Sequence, residues 1–223
     1  MKTPKRSIPK MIEEQVKKWQ LMKIKEKKEA KILPVITVSR EPGSGGRIIA
    51  TQLGKKLGFD VLHQEIINEM AESAQVNTQV LHTLDEKGIS VLEDWITSLV
   101  NTRHLWPDQY LRHLMKVIGT IGKHGNAIIV GRGANFVLPP QGRTRVRIVA
   151  PLEVRVENVS RNFNVSAEDA RQRIIRTESE RRAFIRKYFN TDITDPINYD
   201  LVLNTETLSV EAAADAIKST LEF

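Results

Sequence analysis

From Pro34 onward, short apolar runs alternate with longer amphipathic stretches. Val35-Ile36-Thr37-Val38 is β-rich, and Ile48, Ile49, Leu53 and Leu57 then recur at helical spacing up to Gly58. Residues 59–62 predict a second short strand. Residues 64–122 read as largely helical, with a break at Pro107 and Asp108. Ala127-Ile128-Ile129-Val130, closed by Gly131, is too short and too apolar for anything but a buried strand. Arg145 to Ala150, closed by Pro151, carries its arginines on the alternate face of another. Ser166 with Asp169 opens a helix running toward residue 187 as a capping box. Leu201-Val202-Leu203 is a last strand, and Ser209 caps a final helix bearing Ala212, Ala213, Ala216, Ile217 and Leu221. This succession predicts an α/β fold: an open, mostly parallel sheet with helices on both sides.

Before Pro34 the pattern differs. Met11, Ile12, Val16, Trp19, Leu21, Met22 and Ile24 recur at three- and four-residue steps between lysines, as in an amphipathic helix whose stripe must pack on something. Its own domain, a second copy, giving a homodimer, and a role as a binding arm for RNA, DNA or anionic lipid are all open. The chain of 223 residues has a formal charge of +7, and residues 1–34, with eleven basic and four acidic side chains, carry all of it. The basic balance therefore belongs to an arm, which makes nucleic acid an unlikely partner for the body. No stretch has the roughly 20 apolar residues of a membrane span. Cysteine is absent, so thiolate metal sites and cysteine nucleophiles are excluded. The basic N-terminus lacks an apolar core of the secretory kind, and a cytoplasmic location is expected.

The stretch richest in chemistry is Ser39-Arg40-Glu41-Pro42-Gly43-Ser44-Gly45-Gly46-Arg47. Three glycines in four residues between a buried strand and a helix let the backbone turn its amides toward one point, where the helix N-terminus adds positive partial charge. The turn is suited to phosphate without matching the string Gly-x-x-x-x-Gly-Lys-Ser/Thr. Gly46 takes the place of the lysine with Arg47 one position later, and Ile48 is read at the place of the hydroxyl. Arg132 stands between Gly131 and Gly133 just past a buried strand, at the sheet edge where open α/β folds place ligands. From Arg171 to Lys187 seven basic residues face two glutamates, which fits either a solvated helix face or a lid closing on a polyphosphate.

ITVSREPGSGGRIIATQLGKKLGF, AIIVGRGANFVL, RVRIVAPLEVRV and NYDLVLNTETLSVEAA resemble, in order and spacing, the cytidylate kinase-like family, relatives of the nucleoside monophosphate kinases. The resemblance covers residues 34–223 and leaves 1–33 as a basic helical extension. It implies a three-layer P-loop kinase fold with a central parallel five-stranded sheet, a helical acceptor-binding insertion over 64–122 and an arginine-rich lid over 160–190. The implied reaction moves the γ-phosphoryl group of ATP, with Mg2+, to CMP, dCMP or a similar small acceptor. Arg40, Gly43, Ser44, Gly45, Gly46 and Arg47 would bind the donor. Arg132 would hold the acceptor phosphate, and Arg47, Arg176, Arg181 and Arg182 would screen the charge between the two. The resemblance leaves the magnesium ligands unassigned, with Glu41, Glu178 and Glu180 as candidate carboxylates; Glu41 is equally placed to pair with Arg40, and the other two with Arg182 or neighbouring bases. Gly133 replaces the aspartate of the Gly-Arg-Asp element of true cytidylate kinases, and His63 stands where many members of this offshoot of the family have aspartate. With the lysine missing, a nucleotide-binding regulatory protein without turnover is the alternative.

Overall fold

The computed structural model describes residues 7–25 and 33–221, with the side chains of 23–25 left aside. Ile24 and the basic stretches 1–6 and 26–32 of the expected arm therefore lie outside what is described. The sheet is built from β1 (Val35–Arg40), β2 (Asp60–His63), β3 (Ala127–Val130), β4 (Arg143–Val149) and β5 (Leu201–Asn204). Its order is β2-β3-β1-β4-β5, and every pairing is parallel. Five strands thus point the same way, and their carboxyl ends form one edge. β4 begins two residues before the predicted run because Arg143 and Thr144 sit in register with Val35 and Ile36, a ladder contact that hydropathy does not report.

Successive strand residues project to opposite faces. Ile36, Val38, Ile128, Val130, Val146 and Ile148 meet Ile49, Ala50 and Leu53 of α2 (Gly46–Leu57) and Ala213, Ala214 and Ile217 of α10 (Val210–Ser219). Val35, Leu62, Ala127 and Ile129 face the larger cluster, with α3 (Gln64–Glu72), α4 (Ala74–Leu81), α5 (Glu86–Thr102) and α6 (Gln109–His124). Those four helices are the predicted helical stretch, and Asp108 caps α6 by accepting from the Leu111 amide. The short α7 (Ala134–Val137) follows β3. α8 (Leu152–Phe163) and α9 (Ala167–Phe189) pack on each other through Val156, Val159, Ala170 and Ile174, while Ile185 and Phe189 at the far end of α9 enter the larger cluster.

The amphipathic arm is α1 (Ile8–Lys25). Ile12, Val16 and Trp19 are buried within the same chain. Trp19 stacks on His124 of α6 at 4.8 Å, and Gln15 and Lys18 donate to the Asp60 carboxylate. These three stripe residues are therefore covered intramolecularly, whereas Leu21 of the same stripe is exposed.

Candidate functional site

The turn after β1 is held by its carbonyls. Ser44 donates its hydroxyl to Glu41 O at 2.9 Å, Asn158 Nδ2 donates to Gly43 O at 2.9 Å, and Thr205 Oγ1 donates to Ser44 O at 2.9 Å. Gly43 and Gly45 have φ of 83° and 77°, values that side chains resist. Gly43 also lies against α8, since a Cβ there would meet the Arg155 carbonyl at 2.6 Å, whereas a Cβ at Gly45 would meet no heavy atom within 4 Å. One side of the loop is packed and the other is open. With the carbonyls engaged, the amides of Gly45, Gly46 and Arg47 find no acceptor among the described residues, and α2 adds its N-terminal partial charge behind them. An anion on the open side satisfies all three.

Glu41 does not pair with Arg40, contrary to one expectation. It accepts from the Ala150 amide at 3.1 Å and lies 3.6 Å from Arg147 and 3.5 Å from Arg155. Arg155 also pairs with Glu178 at 2.7 Å, and buried Arg147 donates to Ser39 Oγ. This buried ion network ties β1, β4, α8 and α9 together behind the loop. Glu41 and Glu178 are committed to arginines rather than to a ligand. Glu180 pairs with Arg176 at 3.0 Å, the neighbouring-base alternative, and with Glu178 on Arg155 neither of these two glutamates partners Arg182.

The cationic part of the site collects at the carboxyl ends of β1 and β3. Arg40, Gln64, Arg132, Asn135, Arg181 and Phe184 are among the residues lining a cavity of about 30 Å³. Arg40 Nη2 donates to Gln64 Oε1 and Arg181 Nη1 donates to the Arg40 carbonyl, each at 2.8 Å. Arg132 lays its guanidinium over the Phe184 ring, 4.9 Å from the centroid. Its backbone is left-handed at φ 55°, between Gly131 at 88° and Gly133 at 67°. A non-glycine residue held there stores strain of the kind that clusters at functional sites. Burial drives Arg40 down to about 9 and Arg181 to about 10, with the charges of Arg181 and Arg132, respectively, adding to the effect. These cations crowd one another in a half-dry pocket with too few carboxylates.

Five buried side-chain polar atoms lack a partner among the described residues, and four of them lie at or just past the carboxyl ends of β2 and β3: His63 Nδ1, Glu65 Oε2, Arg132 Nε and Asn135 Nδ2. Of these, Arg132 and Asn135 line the cavity, where a ligand could complete their hydrogen bonds. The cavity holds about two waters at most. Arg181, Phe184 and Ile185 of α9 form one wall of it.

The other expected site residues are placed differently. Arg47 pairs with Glu65 at 2.8 Å and its side chain is 62% exposed, so it stands at the mouth and not in the cavity. Arg176 is 83% exposed on the outer face of α9. Arg182 is exposed and faces Asp192, whose carboxyl is held low chiefly by the Thr194 amide and hydroxyl. Of Arg176, Arg181 and Arg182, expected in a lid, only Arg181 reaches the cavity. Gln64, to which the sequence assigns no role, and Asn135 and Phe184 line it as well; they lack charge and sit in otherwise ordinary helical stretches.

The donor set does not fit a protein-held magnesium ion. Among the described residues no three His, Cys, Asp or Glu side chains cluster to hold a metal, and the nearby carboxylates are bound to arginines. Set on the observed start of α2, the hydroxyl of the phosphate-loop string falls at Arg47, one place before Ile48.

His63 carries the pH dependence of this edge. Burial, then the charge of Arg47, lowers its pKa from 6.5 to about 4. The unfolded chain thus binds the proton more readily than the folded one, so stability present above pH 6.5 is lost as pH falls toward 4. His63→Asn is expected to flatten the urea-midpoint profile between those limits. An unchanged slope would place the titration elsewhere.

A model of the cytidylate kinase-like family matches residues 35–207. A cytidylate kinase of Ignicoccus hospitalis is 26% identical over 190 residues, covering 85% of this chain and 99% of its own. A cytidylate kinase of Methanocaldococcus jannaschii is 26% identical over 192 residues, covering 84% of this chain and 97% of its own. Among solved structures, an uncharacterized protein from Eubacterium ventriosum superimposes with a TM-score of 0.63 at 16% identity, covering 84% of this chain and 98% of that one. That likeness concerns the fold alone.

Proposed function

The chain belongs to the cytidylate kinase-like family, and on that footing we propose that it transfers the γ-phosphoryl group of ATP to a nucleoside monophosphate, with CMP or dCMP the first acceptors to test. The observation that carries this reading is the meeting of unpaired amides at Gly45, Gly46 and Arg47 with the guanidiniums of Arg40, Arg132 and Arg181 along one sheet edge. The loop amides hold the donor phosphates. Arg132 and Arg181 take the acceptor phosphate, with the helices of 64–122 around the acceptor and α9, inside the 160–190 region, closing over both. An acceptor phosphate oxygen attacks the γ-phosphorus as its bond to the bridging oxygen breaks, leaving ADP and a nucleoside diphosphate. Such a transfer needs positioning and charge neutralisation more than acid or base chemistry. Magnesium would be held by the nucleotide's phosphates and by water rather than by a carboxylate cluster of the described residues, and would supply charge neutralisation there. Arg47, Arg176 and Arg182 join the site only if α9 and the loop rearrange around bound nucleotide.

The reading needs no second copy at α1, whose Ile12, Val16 and Trp19 are buried within the chain, and it goes with a cytoplasmic location. Titration with Mg–ATP in a calorimeter, followed by product analysis with CMP added, tests it; binding together with ADP and CDP formation is expected. Binding without product across nucleoside monophosphates would leave the regulatory reading, which Gly46 and Arg47 favour by replacing the string's lysine and hydroxyl. Absence of binding defeats both.

A further inference from the structure

With Gly45 as its second glycine, the phosphate-loop string asks for glycine at position 40 and lysine at position 46. This chain has the reverse arrangement, Arg40 and Gly46. The two positions face each other: a Cβ built on Gly46 would lie 2.6 Å from Arg40 Cβ and 3.2 Å from its Cγ. A side chain at one position therefore displaces the side chain at the other. The stem of Arg40 crosses Gly46, and its head reaches Gly131, whose own Cβ would meet Arg40 Nη1 at 2.4 Å. The hydrogen bond to Gln64 fixes that head between the donor loop and Arg132. Among the described residues no carboxylate lies within ion-pair distance of Arg40, because Glu65 is taken by Arg47. Glu65 attracts Arg40 only from beyond ion-pair distance, while Arg181, Arg132 and Arg47 repel it; a half-buried cation so placed weakens a fold, which leaves an anionic ligand as the reason to keep it.

We infer that Arg40 and Gly46 are an exchanged pair, in which the cation of the phosphate-loop string has moved from the helix start to the end of β1 and bears on the transferring phosphoryl group from there. This rests on the kinase reading above. The guanidinium fork suits two phosphoryl oxygens at once, whereas the lysine it replaces acts as a point charge. Arg47, although adjacent in sequence to the missing lysine, is turned away toward Glu65.

The test uses the full chain and compares Arg40→Gly, Gly46→Lys, the double variant Arg40→Gly/Gly46→Lys, Arg40→Met and Arg47→Ala for turnover with ATP and CMP, Mg–ATP affinity and thermal midpoint. Arg40→Gly is expected to lower kcat by about 10²-fold, the scale for one preorganised charge contact at a transferring group. Gly46→Lys alone is expected to lose at least about tenfold by crowding Arg40, and the double variant to return within about tenfold of the parent. Arg40→Met keeps the stem and is expected to lose rate at an equal or higher thermal midpoint. A merely structural arginine would instead lower the midpoint and leave the rate per folded molecule intact. The inference is overturned if the double variant is no better than its worse single, or if Arg47→Ala collapses turnover while the Arg40 variants do not. Should the parent bind Mg–ATP without turning over CMP or any other acceptor, the kinase reading fails, and the exchange is scored on affinity, lost in Arg40→Gly and regained in the double variant. A parent that does not bind Mg–ATP ends both.

Discussion

Replacing Arg132 with alanine is expected to lower kcat/KM for the acceptor by about 10³-fold, the lower end of what an arginine at a phosphoryl-transfer site contributes. Mg–ATP affinity is expected to stay within about threefold of the parent, because the donor loop keeps its amides. The expectation comes from how the residue is held. Its backbone sits at φ 55° between two glycines, its Nε is buried without a partner among the described residues, and its guanidinium lies over the Phe184 ring. Strain, desolvation and a missing hydrogen bond all count against the folded chain, and an acceptor phosphate relieves the last two. Loss of the side chain should therefore leave the thermal midpoint unchanged or slightly raised. Arg132→Lys restores charge without the fork and is expected to recover no more than about tenfold. If the alanine variant keeps kcat/KM within tenfold of the parent, Arg132 is a packing residue and the acceptor phosphate lies elsewhere.

Much of this architecture was legible in the residues because parallel strands covered on both faces read as uninterrupted apolar runs. Ala127–Val130 and the start of β1 could not be mistaken, and the glycines at 43, 45 and 46 showed where the chain turned. The phosphate-binding character of the loop followed from backbone freedom and helix polarity, which are local properties. Side-chain partners were not legible, since they depend on which elements meet. Glu41 was read against its neighbour Arg40, yet strand geometry sends adjacent side chains to opposite faces, and it found Arg147 of β4 and Arg155 of α8. The lid arginines had the right composition, but α9 is a single helix of 23 residues. Arg181 therefore points inward while Arg176 and Arg182, five residues before it and one after, do not. For α1, amphipathicity showed that a stripe would be covered without saying by what; Trp19 on His124 supplied the answer.

The aspartate that follows the arginine in the Gly-Arg-Asp element of true cytidylate kinases invites an attempt to install it here, and Gly133→Asp is expected to destabilise the protein by about 3 kcal/mol or more, a size reserved for overpacking or strained backbone in a core. Gly133 is buried at φ 67°, and a Cβ there would stand 2.2 Å from Phe189 Cε2 and 2.7 Å from its Cζ. Phe189 cannot give way cheaply. It is 2% exposed, packs on Phe136 with ring centroids 5.3 Å apart, and closes the C-terminal end of α9 over the larger core cluster. The space in which a carboxylate would contact the acceptor is thus filled by a ring, and installing that aspartate forces α9 off the site it covers. For a chain of this size the thermal midpoint should fall by about 10 °C. Phe189→Ala alone is expected to be costly for the cavity it opens, about 3 kcal/mol or more. The double variant should lose distinctly less than the two singles together, because each change removes the reason for part of the other's cost. Additive losses, or a Gly133→Asp protein that melts within about 2 °C of the parent, would show that the ring and the glycine do not compete for the same space and that acceptor recognition here still has room for a carboxylate.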